Sequence, residues 1–251
     1  MRSPHQLVHS RARLRQRYAL FPLEGYPTSR LPSWPDAEVR VLASPALGAQ
    51  FVEYLIDVRS GKGVGHGEAS VQEFVYVLSG SIHASIDGKN CDAGPGGFLY
   101  VPQHSEWQLT ATDDSRLLLL HKRYDTSGIH NQQSPEAIIG HEREAKATPF
   151  AENTHTRLQT LLPDTFAHDF AMNIFTFDPG HGLPYVETHV MEHGLLMLEG
   201  KGMYYLDGEW MEVEKDDFLW IGPYCPQSFY ATGPTPAKYI YYKNVNREIV
   251  L

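Results

Sequence analysis

Residues 187–194 read ETHVMEHG, and Glu187, His189 and His193 are among those whose side chains can bind metals or move protons. All three have odd numbers, so in a β-strand they would point to the same side. A carboxylate and two imidazoles are costly to bury together unless a ligand satisfies them. The spacing therefore predicts a metal ion held on one face of a strand.

A fourth donor, Gln227, follows His193 by 34 positions, just beyond the strand-like run DDFLWIG. Two imidazoles, one carboxylate and one amide oxygen favour an octahedral ion with open positions, such as Mn²⁺ or Fe²⁺, and we expect Mn²⁺. Zn²⁺ prefers tetrahedral sites. Cys225 lies two residues from Gln227, but a cysteine is a common core residue and is left unassigned.

The strands that position these donors belong to an internal repeat. EFVYVLSGSIHASIDG aligns without a gap on HGLLMLEGKGMYYLDG, so that Gly80 lies 120 positions before Gly200. Upstream, FVEYLIDV (51–58) aligns on AMNIFTFD (171–178) at the same spacing. Short alternating runs separated by Gly, Pro and Asp-Gly turns predict antiparallel sheets. We therefore expect an all-β chain of two tandem β-barrel modules.

The repeat divides the chain into four predicted segments. They are an N-terminal arm (1–40), a first module (41–125), a linker (126–165) and a second module (166–251). Helical periodicity is scarce, and only the linker is expected to hold a turn or two of helix.

The predicted donors are concentrated in the second repeat. A shift of 120 places Gly67, Ala69, Glu73 and Trp107 at the positions of Glu187, His189, His193 and Gln227. Because one donor out of four remains in the first repeat, we expect the metal in the second module. A competing site from His66, Glu68, Glu73 and His104 is the weaker alternative, since two of its members lie in a Gly-rich loop.

Composition excludes several other classes. The 251 residues carry a net charge of −9, which argues against nucleic acid or an anionic membrane as the main partner. The two cysteines, Cys91 and Cys225, are too few for a disulfide scaffold and favour free thiols in a reducing compartment. No apolar run approaches the roughly 20 residues of a membrane helix, and the basic N-terminus lacks a signal-peptide core. We expect a cytoplasmic protein that binds a small molecule, with an amphipathic, Arg-bearing leader of the transit-peptide kind as the alternative for the N-terminus.

The order of the donors resembles the signature of the cupins. In that family an H-x-H motif, a later acidic residue and a Gly precede a Pro-rich turn with one more ligand. The resemblance implies jelly-roll barrels whose ligands meet in the barrel mouth, and two repeats imply a bicupin. Here Glu187 takes the place of the first His, His193 that of the acidic residue, and Gln227 that of the last His.

A closer resemblance is to the bicupin (S)-ureidoglycine aminohydrolases of purine breakdown. It is carried by HGLPYVETHVMEHGLLMLEGKGMYYLDGEW, with IGPYCPQ and KYIYYKNVNR after it, and extends more loosely to the first repeat. It implies Mn²⁺-dependent hydrolysis of (S)-ureidoglycine, formed from allantoate, to (S)-ureidoglycolate and ammonia. It also implies Glu187, His189, His193 and Gln227 as metal ligands, and a homo-oligomer.

The same resemblance implies that Tyr204, Tyr239 and Lys243 contact the substrate. In a strand, Tyr239 and Lys243 share a face. A lysine ammonium buried inside a barrel is costly unless it binds an anion or takes part in catalysis. We therefore expect Lys243 to act as acid and base, with Glu187 as a second catalytic residue. For each Tyr, an aromatic that only fills the barrel is an equally good interpretation.

Two other functions stay open at this point. One is a bicupin dioxygenase that uses Fe²⁺ to cleave a diol or an aromatic ring, which Gln227 fits poorly. The other is a bicupin that binds a small ligand without turnover. A DNA-binding regulator is not expected, because no basic helix pair accompanies the barrels.

Overall fold

The computed structural model describes residues 11–64, 69–127 and 135–247. Its strands up to residue 127 are β1 (Arg13–Leu14), β2 (Tyr18–Phe21), β3 (Ser29–Leu31), β4 (Trp34–Ala43), β5 (Val52–Val58), β6 (Gly63–Val64), β7 (Val71–Ser79), β8 (Ile82–Ile86), β9 (Lys89–Ala93), β10 (Gly97–Val101), β11 (Trp107–Ala111) and β12 (Ser115–Arg123). The later strands are β13 (Ile138–His141), β14 (Thr148–Phe150), β15 (Asn153–Thr160), β16 (Phe170–Phe177), β17 (His193–Glu199), β18 (Lys201–Leu206), β19 (Glu209–Glu214), β20 (Phe218–Ile221), β21 (Gln227–Ala231) and β22 (Ala237–Asn244). The helical elements in these ranges are 3-10 turns over Leu23–Gly25, Pro45–Leu47 and Glu142–Glu144.

Each half of the chain forms a barrel from one large and one small sheet. The first barrel has a seven-stranded sheet, in the order β13-β10-β7-β12-β5-β4-β3, and a four-stranded sheet, β6-β11-β8-β9. The second has an eight-stranded sheet, β1-β2-β20-β17-β22-β16-β15-β14, and a three-stranded sheet, β19-β18-β21. The central strands pair antiparallel. The expected all-β fold of two tandem barrels is therefore confirmed.

The shared Asp-Gly pairs form tight hairpin turns, as their sequence predicts. Asp87 and Gly88 have φ angles of 48° and 79° between β8 and β9, and Asp207 and Gly208 have φ angles of 50° and 96° between β18 and β19. Two consecutive left-handed residues are what a two-residue turn needs to follow the twist of the strands. These turns fix the same hairpin register in both barrels.

Strand alternation decides which side chains reach the second barrel's interior. Along β22, Ile240 and Tyr242 pack in the apolar cluster between the two large sheets. Their neighbours Tyr239 and Tyr241 lie in the cluster inside the barrel. Lys243 has the same parity as these two tyrosines and lines the barrel cavity. The period of two along the strand therefore separates residues that join the modules from residues that line the cavity.

The predicted arm and linker take part in both sheets. In the arm, β2 pairs with β20 of the second barrel, whereas β3 pairs with β4 of the first. In the linker, β13 pairs with β10 of the first barrel, and β15 pairs with β16 of the second. The linker's helical content in the described residues is the turn at Glu142–Glu144. These segments cover the edges of the large sheets, which would otherwise expose unpaired backbone groups.

No helix in the described part of the chain is long and apolar enough to cross a membrane.

Candidate metal centre

The second barrel encloses a cavity of about 250 Å³ between its large and small sheets. All seven residues expected from the sequence line it: Glu187, His189, His193, Tyr204, Gln227, Tyr239 and Lys243. The lining combines β16, β17 and β22 of the large sheet with β18 and β21 of the small one. One cavity therefore collects the whole predicted constellation.

The segment before His193 reaches this cavity by a route that differs from the prediction. β17 begins at His193, and residues 187–192 are not a strand. Glu187 instead forms an isolated bridge with Gln227: its N–H donates to the Gln227 carbonyl at 2.8 Å, and the reverse bond is 2.9 Å. The backbone N–H of Tyr224 holds the His189 carbonyl at 2.8 Å. The strand inferred from odd numbering was therefore wrong: the bridge to Gln227 places Glu187, the bond from Tyr224 holds His189, and all three donors still line one cavity.

The two imidazoles face each other through their Nε2 atoms. Nδ1 of His193 lies 3.1 Å from the Tyr242 carbonyl oxygen, and Nδ1 of His189 lies 3.2 Å from that of Met191. A carbonyl only accepts, so each neutral imidazole carries its proton on Nδ1 and has a bare Nε2. The two Nε2 atoms are 3.3 Å apart. Two lone pairs at that distance repel each other, and a shared cation would remove the repulsion.

The amide of Gln227 completes the set of donors in contact. Its Nε2 lies 3.3 Å from Nε2 of His189, and the Tyr204 hydroxyl donates to its Oε1 at 3.2 Å. A half-turn would bring the amide oxygen to the imidazoles and leave the NH₂ facing Tyr204. The described residues contain no group of three His, Cys, Asp or Glu that could hold a metal ion. The candidate set is therefore two imidazoles and one amide in contact, with the Glu187 carboxylate in the same cavity, and this mixture fits a divalent ion.

Burial sets the protonation of the cavity. It lowers the pKa of His193 to about 3, with smaller contributions from His189 and Lys243. Burial, and next the charge of Lys243, lowers the pKa of His189. Burial also lowers the pKa of Lys243 and raises that of Glu187, while the attraction between these two opposes both shifts. Both imidazoles are therefore neutral, which is the form that binds a metal.

Lys243 lies next to the imidazoles on the barrel's inner face. In the register of the large sheet it pairs with His193 of β17 on one side and with Ala171 of β16 on the other. The small side chain of Ala171 leaves cavity space beside the ammonium. Among the described residues, this ammonium has no hydrogen bond or ion pair. It is therefore a half-buried cation facing an open cavity.

The cavity also contains residues that the sequence did not single out. Asn173, Tyr241 and Asp164 are among its lining residues. Tyr241 has the parity of Tyr239 and Lys243, so the same alternation would have identified it. Asn173 is a polar residue within the apolar run AMNIFTF, and that interruption was a signal for it.

The first barrel has its own residues at the matching positions, and they satisfy one another. Glu73 pairs in register with His121 of β12, as His193 pairs with Lys243 of β22. Nδ1 of His121 lies 3.0 Å from one Glu73 oxygen, and the Trp107 indole N–H donates to the other. At the position that corresponds to Gln227 the first barrel thus has an indole, and the carboxylate and imidazole at the positions of His193 and Lys243 contact each other.

Of the competing site predicted for the first repeat, the two described members, Glu73 and His104, do not contact each other by a hydrogen bond or ion pair. Both carboxylate oxygens of Glu73 are engaged by Trp107 and His121, neither of which was in that set. His104 is exposed in a left-handed turn with a φ of 67°. His66 and Glu68 lie outside the described residues.

Comparisons with known proteins place the chain in a family. The Cupin domain model matches residues 56–121 and 173–242, one match in each barrel. (S)-Ureidoglycine aminohydrolase of Escherichia coli is 33% identical over 238 residues, which cover 92% of this chain and 90% of the relative. The chain belongs to the bicupin family of (S)-ureidoglycine aminohydrolases. The Arabidopsis thaliana member is 31% identical over 235 residues, covering 92% of this chain and 76% of the relative.

Solved structures share the fold of this family member along its whole length. Protein Ylba from E. coli superimposes with a TM-score of 0.86 at 31% identity, covering 100% of both chains. A structure described as a glyoxylate-induced protein of Pseudomonas aeruginosa gives 0.89 at 30% identity, covering 97% of this chain and 94% of the other. Oxalate decarboxylase of Bacillus subtilis gives 0.71 at 12% identity over 99% of this chain and 85% of that one, and shares the fold alone.

Proposed function

We propose that this protein hydrolyses (S)-ureidoglycine to (S)-ureidoglycolate and ammonia in purine degradation, downstream of allantoate, with Mn²⁺ as its cofactor. The observation that carries the proposal is the pair of bare Nε2 atoms 3.3 Å apart, with the Gln227 amide beside them, in a chain of this family. Glu187, His189, His193 and Gln227 are the proposed ligands. When bound, the ion supplies Lewis-acid polarisation of the substrate.

The reaction replaces a C–N bond by a C–O bond, and a proton must move from water to the departing amine. Lys243 is the group proposed to move it. Its Nζ lines the cavity, and burial lowers its pKa toward the range where it can both accept and donate a proton. The charge of Glu187 opposes that shift and holds the ammonium form. Glu187 is therefore the proposed catalytic partner of Lys243.

Tyr204 and Tyr239 are proposed to orient the site and to contact the substrate. Both are buried, and burial raises the pKa of each phenol well above its usual value, so both remain hydrogen-bond donors. The Tyr204 hydroxyl lies 3.2 Å from the Gln227 amide. It donates to Oε1 or, after the half-turn, accepts from the NH₂, and in either case it holds the plane of that amide. Tyr239 lies across the barrel from it, with 6.3 Å between the ring centroids.

The proposal is tested with three variants and freshly generated (S)-ureidoglycine. Lys243→Met should retain Mn²⁺ and lose ammonia release, and His189→Ala should lose both. Lys201→Met is the matched control, because Lys201 lies on the surface in β18, where its ammonium is 3.9 Å from Glu212. Unchanged turnover in Lys243→Met would refute the assignment of that lysine.

The same assay separates the alternative functions. Oxygen uptake without ammonia release would indicate the Fe²⁺ dioxygenase. Ligand binding without turnover of (S)-ureidoglycine would indicate the ligand-binding bicupin.

We also propose that the protein acts in the cytoplasm as a homo-oligomer. Large apolar side chains near the second barrel are open to solvent, among them Phe166 at 68%, Tyr185 at 56% and Val186 at 51% exposure. Such side chains are often covered by a second copy in an oligomer. Analytical ultracentrifugation should show a species larger than 28.4 kDa; a sedimenting monomer at micromolar concentration would contradict the proposal.

A further inference from the structure

One polar atom beside the cavity has no hydrogen-bond partner in the protein. Asn173 of β16 is 7% exposed, and its Oδ1 is buried without any hydrogen bond among the described residues. Its Nδ2 donates to the Tyr241 hydroxyl at 3.3 Å, so Oδ1 is the amide atom left without a partner. A buried acceptor without a partner is destabilising. Asn173 lines the cavity, so a ligand group can supply what the protein does not.

The Tyr241 hydroxyl provides the second half of the same feature. It accepts the Asn173 N–H, so its own hydrogen remains available to a ligand. The Tyr241 ring stacks on Phe175 with 5.7 Å between centroids and meets the His193 ring edge-on at 5.4 Å. These contacts hold the phenol beside a proposed metal ligand. The cavity wall therefore presents one acceptor and one donor side by side.

We propose that Asn173 and Tyr241 form a subsite for a ureido group. The planar end of a urea carries an N–H donor next to a carbonyl acceptor, which matches the acceptor of Asn173 and the donor of Tyr241. A carboxylate only accepts and would face the Asn173 oxygen with repulsion, whereas an ammonium only donates. The torsion of an Asn amide is broad, so Oδ1 can turn toward an entering group at low cost.

The subsite would orient the substrate. That this substrate is (S)-ureidoglycine rests on the proposed function. Lys243 lies two residues beyond Tyr241 on the same face of β22, which is a distance of about 7 Å along a strand. With the ureido end on Asn173 and Tyr241, the carboxylate of a small ureido acid points toward the Lys243 ammonium. The carbon between them, which carries the amine, then lies beside His193.

The test compares two stable ligands that differ in one group. N-carbamoylglycine ends in NH₂, whereas N-acetylglycine has a methyl group in its place, and both keep the carbonyl and the carboxylate. Isothermal titration calorimetry on the Mn²⁺-loaded protein should show about tenfold tighter binding of N-carbamoylglycine, as expected for one buried hydrogen bond. Asn173→Leu should bind both ligands equally. Tyr241→Phe should weaken both ligands by a similar factor, because both retain the carbonyl.

Two further variants make the result decisive. Asn173→Asp keeps an acceptor at the same place and should keep the preference for the carbamoyl ligand even if Asn173→Leu folds poorly. Thr176→Val changes a residue of β16 with the opposite parity, whose side chain does not line the cavity, and should keep the wild-type preference. No preference in the wild type, or a preference that survives in Asn173→Leu, would overturn the subsite.

The outcome is separable from that of the proposed function. An Asn173-dependent preference in a protein that releases no ammonia from (S)-ureidoglycine would support the subsite and refute the proposed reaction. Ammonia release without that preference would support the proposed reaction and refute the subsite.

Discussion

Glu53 is a carboxyl group sealed between the two modules. It lies in β5 of the first barrel, is 1% exposed, and neither of its oxygens has a hydrogen-bond partner. Its Oε2 lies so close to β17 of the second barrel that a Cβ at Gly194 would come within 2.2 Å of it. Burial raises the pKa of Glu53 to about 8. The group should therefore be protonated in the folded protein at neutral pH.

This shift in pKa makes the protein less stable as the pH rises. The unfolded chain releases the proton near the ordinary value of 4.5, whereas the folded chain keeps it up to about 8. Between these values the folded state binds more protons, so stability falls as pH rises, by about 1.4 kcal/mol per unit. Below pH 4.5 and above pH 8 the contribution is constant. The full window amounts to about 5 kcal/mol of stability lost.

Glu53→Gln keeps the shape of the side chain and cannot ionise. The stability of the variant minus that of the wild type should be about 4 kcal/mol larger at pH 8 than at pH 5, because the wild type loses stability over about three pH units. At about 2–4 °C per kcal/mol for a chain of this size, its relative unfolding midpoint should rise by about 10 °C. Differential scanning calorimetry at the two pH values measures it. An equal difference at both pH values would show that Glu53 does not keep its proton in the folded protein. The exposed Glu106→Gln, which removes a surface carboxylate in the same way, is the control.

Two other predictions concern the arm and the module contact. Arg11→Ala should destabilise the protein by about 2 kcal/mol, because it leaves the carboxylate of Asp217, which is 2% exposed, without its ion pair. Arg15→Ala breaks an exposed ion pair and should cost about 0.5 kcal/mol of stability or less. Equal effects of these two substitutions in chemical denaturation would contradict the role given to burial. Gly194→Ala should cost about 2 kcal/mol by overpacking, whereas Gly94→Ala, with nothing within 4 Å of its added Cβ, should be near neutral in the same measurement.

The parts of the site that the sequence revealed are those set by local chemistry. The Asp-Gly hairpins and the alternation along β22 depend on neighbours in the chain, so the barrels and the inward face of Tyr239 and Lys243 could be predicted. The sequence around residues 187–192 suggested a strand, and nothing in the neighbouring residues showed that this segment is not one. Glu187 is placed by its backbone bridge with Gln227, a contact between residues 40 positions apart.

The repeat was informative only where its spacing is constant. Glu73 and His193 are 120 positions apart, but their cross-strand partners His121 and Lys243 are 122 apart. A fixed shift of 120 therefore identified Trp107 as the counterpart of Gln227 and missed His121 as the counterpart of Lys243. The pairing of the arm and linker with distant sheet edges is likewise invisible in a pattern of neighbours.

The imidazoles of His189 and His193, with Gln227 and Glu187, are proposed to hold a Mn²⁺ ion needed for ammonia release. The most direct measurement adds Mn²⁺ to metal-free protein and follows bound metal together with ammonia from freshly generated (S)-ureidoglycine. We predict one Mn²⁺ per chain, with ammonia release that rises in proportion to occupancy and is absent in His189→Ala. Full ammonia release by metal-free protein, or Mn²⁺ binding that is unchanged in His189→Ala, would contradict the account.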